Sequence, residues 1–153
     1  MRFLLLFLSL PILSLASWDH FQFDITFFCL MKDRTTYNLK IEWWESDTVS
    51  KMEHLTSPML LRANTGRFSF SQSGAMNGDE WFSEGYRSVA YISHDCTEDR
   101  KRVDLVLTLN RLCEIGHTCH YRVIKDITNT WGKQDLTPTD FQHDNLDDFP
   151  DFP

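Results

Sequence analysis

FQFDITFFC, residues 21 to 29, sets Phe21, Phe23, Ile25, Phe27 and Cys29 on one side of an extended chain and Gln22, Asp24 and Thr26 on the other. A period of two marks a half-buried strand, because successive side chains of extended backbone point to opposite faces. YNLKIEWW repeats the pattern with Tyr37, Leu39, Ile41 and Trp43 inward, after a polar turn over residues 32 to 36. PMLLRA is a short strand, NTG at residues 64 to 66 a turn, and RFSFS a strand with Phe68 and Phe70 on one face. SQSGAMNGDEWFSEG, polar and glycine-rich, reads as a loop with room for a short helical turn at residues 79 to 83. SVAYISH, RVDLVLTL and CHYRVIKDI complete seven strands. Turn signals between them, and no long helical period, predict an all-β chain folded as an antiparallel β-sandwich.

The compartment follows from the first residues. Arg2, the apolar run from Phe3 to Ala16, and small residues Ser14 and Ala16 have the form of a secretory signal peptide over residues 1–16, with the mature chain starting near Ser17. The run is interrupted by Pro11 and is too short for a membrane span, and no later segment is long and uncharged enough. Residues 17–136 then form one domain with an adequate core. Lys and Arg number 15 against 22 Asp and Glu, a formal net charge of −7, which argues against nucleic acid and against an anionic membrane surface. Asp140, Asp144, Asp147, Asp148 and Asp151 crowd the end of the chain, with no Lys or Arg among them. Charge and proline in DNLDDFPDFP make residues 137–153 an acidic disordered tail, whose phenylalanines could serve as a short binding motif. In a secreted chain Cys29, Cys96, Cys113 and Cys119 are most simply a disulfide framework, with three pairings open.

CLMKDRTTYNLKIEWWESD, TGRFSFSQSG and YISHDC, taken together, resemble the nematode transthyretin-like proteins. That family has a cysteine closing the first strand, a lysine-containing strand ending in acidic residues, a GRF strand opener, and a strand ending in tyrosine-histidine-aspartate-cysteine. The resemblance covers roughly residues 21 to 109; CTEDRKRV lacks the further cysteine common in the family, and the match loosens after Leu109. It implies a secreted transthyretin-type sandwich of seven or eight strands, in the extracellular space or at the cell surface, with no agreed activity. It also implies that the first strand ends near the last hairpin. Cys29 would then pair with Cys113 or Cys119, leaving Cys96 to link two copies into a homodimer. Related hydroxyisourate hydrolases share the fold but end in tyrosine-arginine-glycine-serine, whereas this chain ends PDFP, so that enzyme reading is not expected.

YISHDC, residues 91 to 96, raises a chemical question. A Cys96 nucleophile with His94 as base needs both side chains on one face and a third orienting group; the spacing of positions 94 and 96 allows the first, but no family signature supports the reading. This is the alternative of a secreted hydrolase with a His/Asp/Cys site. The plainer reading makes His94 a strand-end residue bonded to backbone. Cys113, His117, Cys119 and His120 have zinc-compatible side chains but fit no common structural spacing. Neither a metal nor another cofactor is expected, and no N-glycosylation sequon occurs. Adjacent Trp43 and Trp44 point to opposite faces of a strand, so Trp44 lies off the core and, with Trp81 and Phe82, forms a candidate contact patch. Packing of Trp44 beneath the tail or the long loop is the plainer alternative. The expected function is extracellular binding or bridging, through contact with a small apolar ligand, a protein or a cell surface.

Overall fold

Burial of one face of each long strand assembles two stacked sheets in a computed structural model that describes residues 18–46, 52–77 and 85–145. The strands are β1 (Trp18–Cys29), β2 (Thr36–Glu45), β3 (Glu53–His54), β4 (Met59–Asn64), β5 (Gly66–Asn77), β6 (Tyr86–His94), β7 (Val103–Cys113), β8 (His117–Asp126), β9 (Gly132–Leu136) and β10 (Asp140–Asn145). One sheet has the order β10-β8-β1-β5; the other has β3-β2-β6-β7-β9, with β4 also on β2. The inward residues of β1 and β2 are those the alternation selected: Phe21, Phe23, Ile25, Phe27 and Cys29 meet Tyr37, Leu39, Ile41 and Trp43 in a sealed core. Phe23 lies at its centre, stacked 4.1 Å from Trp43 and 5.3 Å from Tyr121. Such pairs add to the area that aromatic rings remove from water.

The all-β sandwich is as expected; its details differ in four respects. Ten strands occur among the described residues instead of seven or eight, because β3, β9 and β10 add to the seven read from the sequence. Both sheets are mixed, since β1 runs parallel to β8 and β7 parallel to β9. β5 continues through SQSGAMN, where a loop was expected, and pairs with β1 as far as Asn77. Its inward positions after Phe70 are Gln72, Gly74 and Met76, and the first two meet the crossing segment 55–57, Gln72 Nε2 lying 3.4 Å from Thr56 Oγ1. Gln72 Nε2 donates to the Ser57 carbonyl at 3.2 Å, and a Cβ on Gly74 would lie 1.6 Å from the Leu55 carbonyl oxygen. Residues 55–57 thus strap β2 to β5, with the Leu55 and Thr56 amides both donating to the Trp43 carbonyl.

The fourth correction concerns the tail. Asp140–Asn145 forms β10 against β8, where a disordered tail from residue 137 was expected. Only alternate residues of an edge strand need burial: Phe141 packs 4.7 Å from Tyr121, while Asp140 turns to Arg122 at 3.7 Å. The expected leader at residues 1–16, the suggested helical turn at 79–83 and the DFPDFP repeat lie outside the described residues. Among the described residues no helix is long and apolar enough to cross a membrane.

Candidate functional site

The disulfides join Cys29 to Cys96 and Cys113 to Cys119, which overturns the implied link from Cys29 to Cys113 or Cys119. Parallel pairing explains why. It places Cys119 opposite Phe21, eight residues along β1 from Cys29, or roughly 26 Å at strand rise. Cys29 instead reaches across to the other sheet, where β6 ends. No described cysteine is free, so Cys96 cannot link two copies. Two disulfides are compatible with an extracellular protein.

YISHDC is the junction at which the two sheets and two turns are tied. His94 is 1 % exposed. Its Nε2 donates to the Thr130 carbonyl at 2.9 Å, and its Nδ1 accepts the Cys96 amide at 3.2 Å. Both contacts fix the neutral ring, and burial pushes its pKa below the ordinary 6.5 against the opposing pull of the Thr130 carbonyl and nearby aspartates. Asp95 Oδ1 accepts Arg34 Nη2 and the Asn38 amide, each at 2.8 Å, and Oδ2 accepts Asn38 Nδ2 at 2.7 Å. The Arg34 Nη1 also donates to the Asp95 carbonyl at 2.6 Å, and its Nε to the Thr36 carbonyl at 2.7 Å. Burial works to raise the Asp95 pKa, but the Asn38 bonds and the Arg34 charge outweigh it and hold the carboxyl below its usual range.

This geometry removes Cys96 and His94 as a nucleophile and base pair. Cys96 is in a disulfide rather than a thiolate, and both His94 nitrogens are engaged by backbone. His94→Ala is therefore expected to cost about 1–3 kcal/mol, the range for leaving buried partners unpaired, as read from thermal melts. The pH dependence follows from linkage. An unfolded chain binds the imidazole proton more tightly than the folded one, so the His94 contribution is full above pH 6.5 and is lost as pH falls through the lowered folded value. Stability measured from neutral to mildly acid pH should decline in the wild type, with a shallower slope in His94→Ala.

The zinc-compatible residues are also dispersed. Cys113 and Cys119 close the β7-β8 hairpin, and His120 Nε2 lies 2.6 Å from Asp24 Oδ2 on the outer face of the four-stranded sheet. Among the described residues no three His, Cys, Asp or Glu side chains converge as metal ligands. Ser71 donates to Asp24 Oδ1 at 2.6 Å, and Gln22 to the same oxygen at 3.1 Å. The Ser71 bond, opposed by burial and joined by His120 and Gln22, lowers the Asp24 pKa to about 2. Serine, aspartate and histidine meet here, but the carboxylate stands between the other two. Ser71 bonds to the carboxylate and His120 to its other oxygen, so the serine–imidazole contact of a hydrolase triad is not made and the cluster is a polar ladder on the sheet face.

Beside the junction, the outer face of the six-stranded sheet opens a groove of about 510 Å³ lined by Leu60, Leu61, Lys40, Arg62, Ser93 and Arg102, among others. Strand register builds it: Leu60 and Ser93 flank Lys40, and Arg62 lies opposite Asn38. Leu60 is 77 % exposed. The carboxylates nearby are engaged, Glu42 by Lys40 at 3.1 Å and Asp104 by Arg102 at 3.4 Å. Arg62 has no carboxylate partner among the described residues; its Nε donates to Thr36 Oγ1 at 3.2 Å. Sequence reading missed the groove because its cations stand on β2, on β4 and just ahead of β7. The same face continues to Trp44, which lies against His54 with ring centroids 3.5 Å apart and meets Tyr91 edge-on at 6.2 Å. Trp43 is wholly buried and Trp44 only partly so. Trp81 and Phe82, the other members of the expected patch, lie outside the described residues.

No protein-family model matches the chain, and no curated protein or solved structure matches it either.

Proposed function

We propose that this chain is a secreted extracellular binding or bridging protein of the transthyretin-like type, acting through contact and not through turnover. The observation that carries the reading is the groove on the outer face of the six-stranded sheet. There the exposed Leu60 sits among Lys40, Arg62 and Arg102, while the catalytic-looking residues beside it are bonded into the fold. Apolar surface rimmed by cations suits a partner that is both apolar and acidic. Secretion is supported by the leader-like residues 1–16 and by two disulfides. The all-β sandwich suits the transthyretin-like resemblance, while the Cys29–Cys96 link departs from the strand order that the resemblance implied.

The test compares the immobilised wild-type protein with Lys40→Glu/Arg62→Glu in native extracellular fluid, and identifies retained proteins and small molecules by mass spectrometry. Retention by the wild type that falls at least about tenfold in the variant, at unchanged melting temperature, is the expected result. Equal retention by both would remove the groove from the reading.

A further inference from the structure

We infer that the groove over β2, β4 and β6 takes the acidic, phenylalanine-containing terminal segment of a second copy of this chain, residues 147–153, in a head-to-tail contact. The inference rests on the binding reading above and names its partner.

Charge complementarity is the first argument. The chain carries −7 overall, yet Lys40, Arg62 and Arg102 gather at one groove, and Arg34 and Arg100 line the neighbouring depression that shares Asn38, Arg62 and Asp95 with it. The acids facing the same region, Asp33, Glu42, Asp95 and Asp104, are each held by a cation already present. Arg62 is left to meet an incoming carboxylate. DDFPDFP offers three aspartates alternating with two phenylalanines. Its prolines favour an extended backbone that loses little freedom on docking. Along the sheet face the receptive surface runs from the cations past Leu60 towards Tyr91 and Trp44, so acid and aromatic side chains both find counterparts.

Reach decides that the contact is between copies. β10 ends with Asn145 opposite His117, at the end of the sandwich where β1 and β8 begin. The groove lies at the other end, where β1 finishes and Cys29 meets Cys96. The strands separating these ends run about 26–33 Å, and the groove is on the outer face of the opposite sheet, another layer away. Residues 146–153 extend at most about 26–29 Å, less than the path around the sandwich. A segment that cannot reach its own groove can reach a neighbour's. Because the groove and the segment are different surfaces, the contact is heterologous and propagates into rings or chains instead of closing as a two-fold dimer. That is a physical form of bridging.

The experiment is sedimentation velocity of the mature secreted protein over a range of concentrations and salt, with charge-reversed variants. Wild type is expected to associate as concentration rises, and to do so about tenfold more weakly at roughly 0.3 M than at roughly 0.03 M salt, where screening differs severalfold in range. Lys40→Glu/Arg62→Glu and Asp147→Lys/Asp148→Lys/Asp151→Lys should each stay monomeric, and both sets in one chain should restore association. A labelled DNLDDFPDFP peptide should bind the aspartate-reversed protein and fail on the groove-reversed one. Monomeric wild type together with no peptide binding overturns the inference, as does association indifferent to both reversals or a doubly reversed chain that stays monomeric. Groove-dependent binding of phosphatidylserine vesicles without peptide binding would overturn this occupant while leaving the groove as a contact surface. Loss of every groove-dependent contact would remove both readings.

Discussion

Gly74→Ala is expected to destabilise the protein by about 3 kcal/mol, although it adds a single methyl group to a β-strand. The added carbon would sit 1.6 Å from the Leu55 carbonyl oxygen and 2.7 Å from its carbon, atoms of backbone that no rotamer change can move aside. Relief requires the strap at residues 55–57 to lift from β5. Doing so strains the Gln72 bond to the Ser57 carbonyl and the Leu55 and Thr56 bonds to the Trp43 carbonyl. Gly66→Ala is the control: nothing lies within 4 Å of the added carbon, and only its positive φ of 82° is strained, a cost of about 1–2 kcal/mol. Urea melts of the two variants should separate them clearly. A loss at Gly74 no larger than that at Gly66 would show that the strap does not press on β5 as described.

Removing the Cys29–Cys96 disulfide by paired alanine substitution should cost about 4 kcal/mol, against about 2 kcal/mol for the Cys113–Cys119 pair. The difference comes from the unfolded chain. The first link closes a separation of 67 residues and the second a separation of 6, so the first removes far more freedom from the unfolded ensemble. Since domains are stable by about 5–15 kcal/mol, loss of the longer link takes a large share of the total. Denaturant midpoints of the two double variants give the comparison. The reverse order would mean that the hairpin link governs packing of the whole β7-β8 end.

How much of this was legible in the sequence depended on whether a strand's buried face is filled by side chains. β1 could be read residue by residue because every inward position from Phe21 to Cys29 is apolar. β5 could not be read beyond Phe70, because its inward Gln72 and Gly74 meet the Leu55–Ser57 backbone, and a polar residue and a glycine are what a crossing carbonyl accepts. β10 was hidden by its acids, which face solvent at a sheet edge while Phe141 alone supplies the core contact. The disulfide pairing was out of reach for a different reason: it depends on which strand ends adjoin across the sandwich, and parallel β1 and β8 put beginnings together, not an end with a beginning.

The site divides the same way. His94 read as a strand-end residue bonded to backbone is where the structure places it, because the residue sits where alternation stops and two backbone groups need partners. The Asp95 clamp needed Arg34 and Asn38 from another part of the chain, and the groove needed Lys40, Arg62 and Arg102 from three. Only strand register brings these together. Asp24 and His120, joined at 2.6 Å across β1 and β8, are a further pair of this kind.

The most direct test of the proposed function sets the junction against the groove in one measurement: retention of proteins and small molecules from extracellular fluid by His94→Ala and by Lys40→Glu/Arg62→Glu, each with its melting temperature. The account predicts that His94→Ala melts lower but retains partners at nearly the wild-type level, while the groove variant melts as the wild type and loses them. Retention abolished by His94→Ala in a still-folded protein, with the groove variant unaffected, would contradict it and return YISHDC to the place of the functional site.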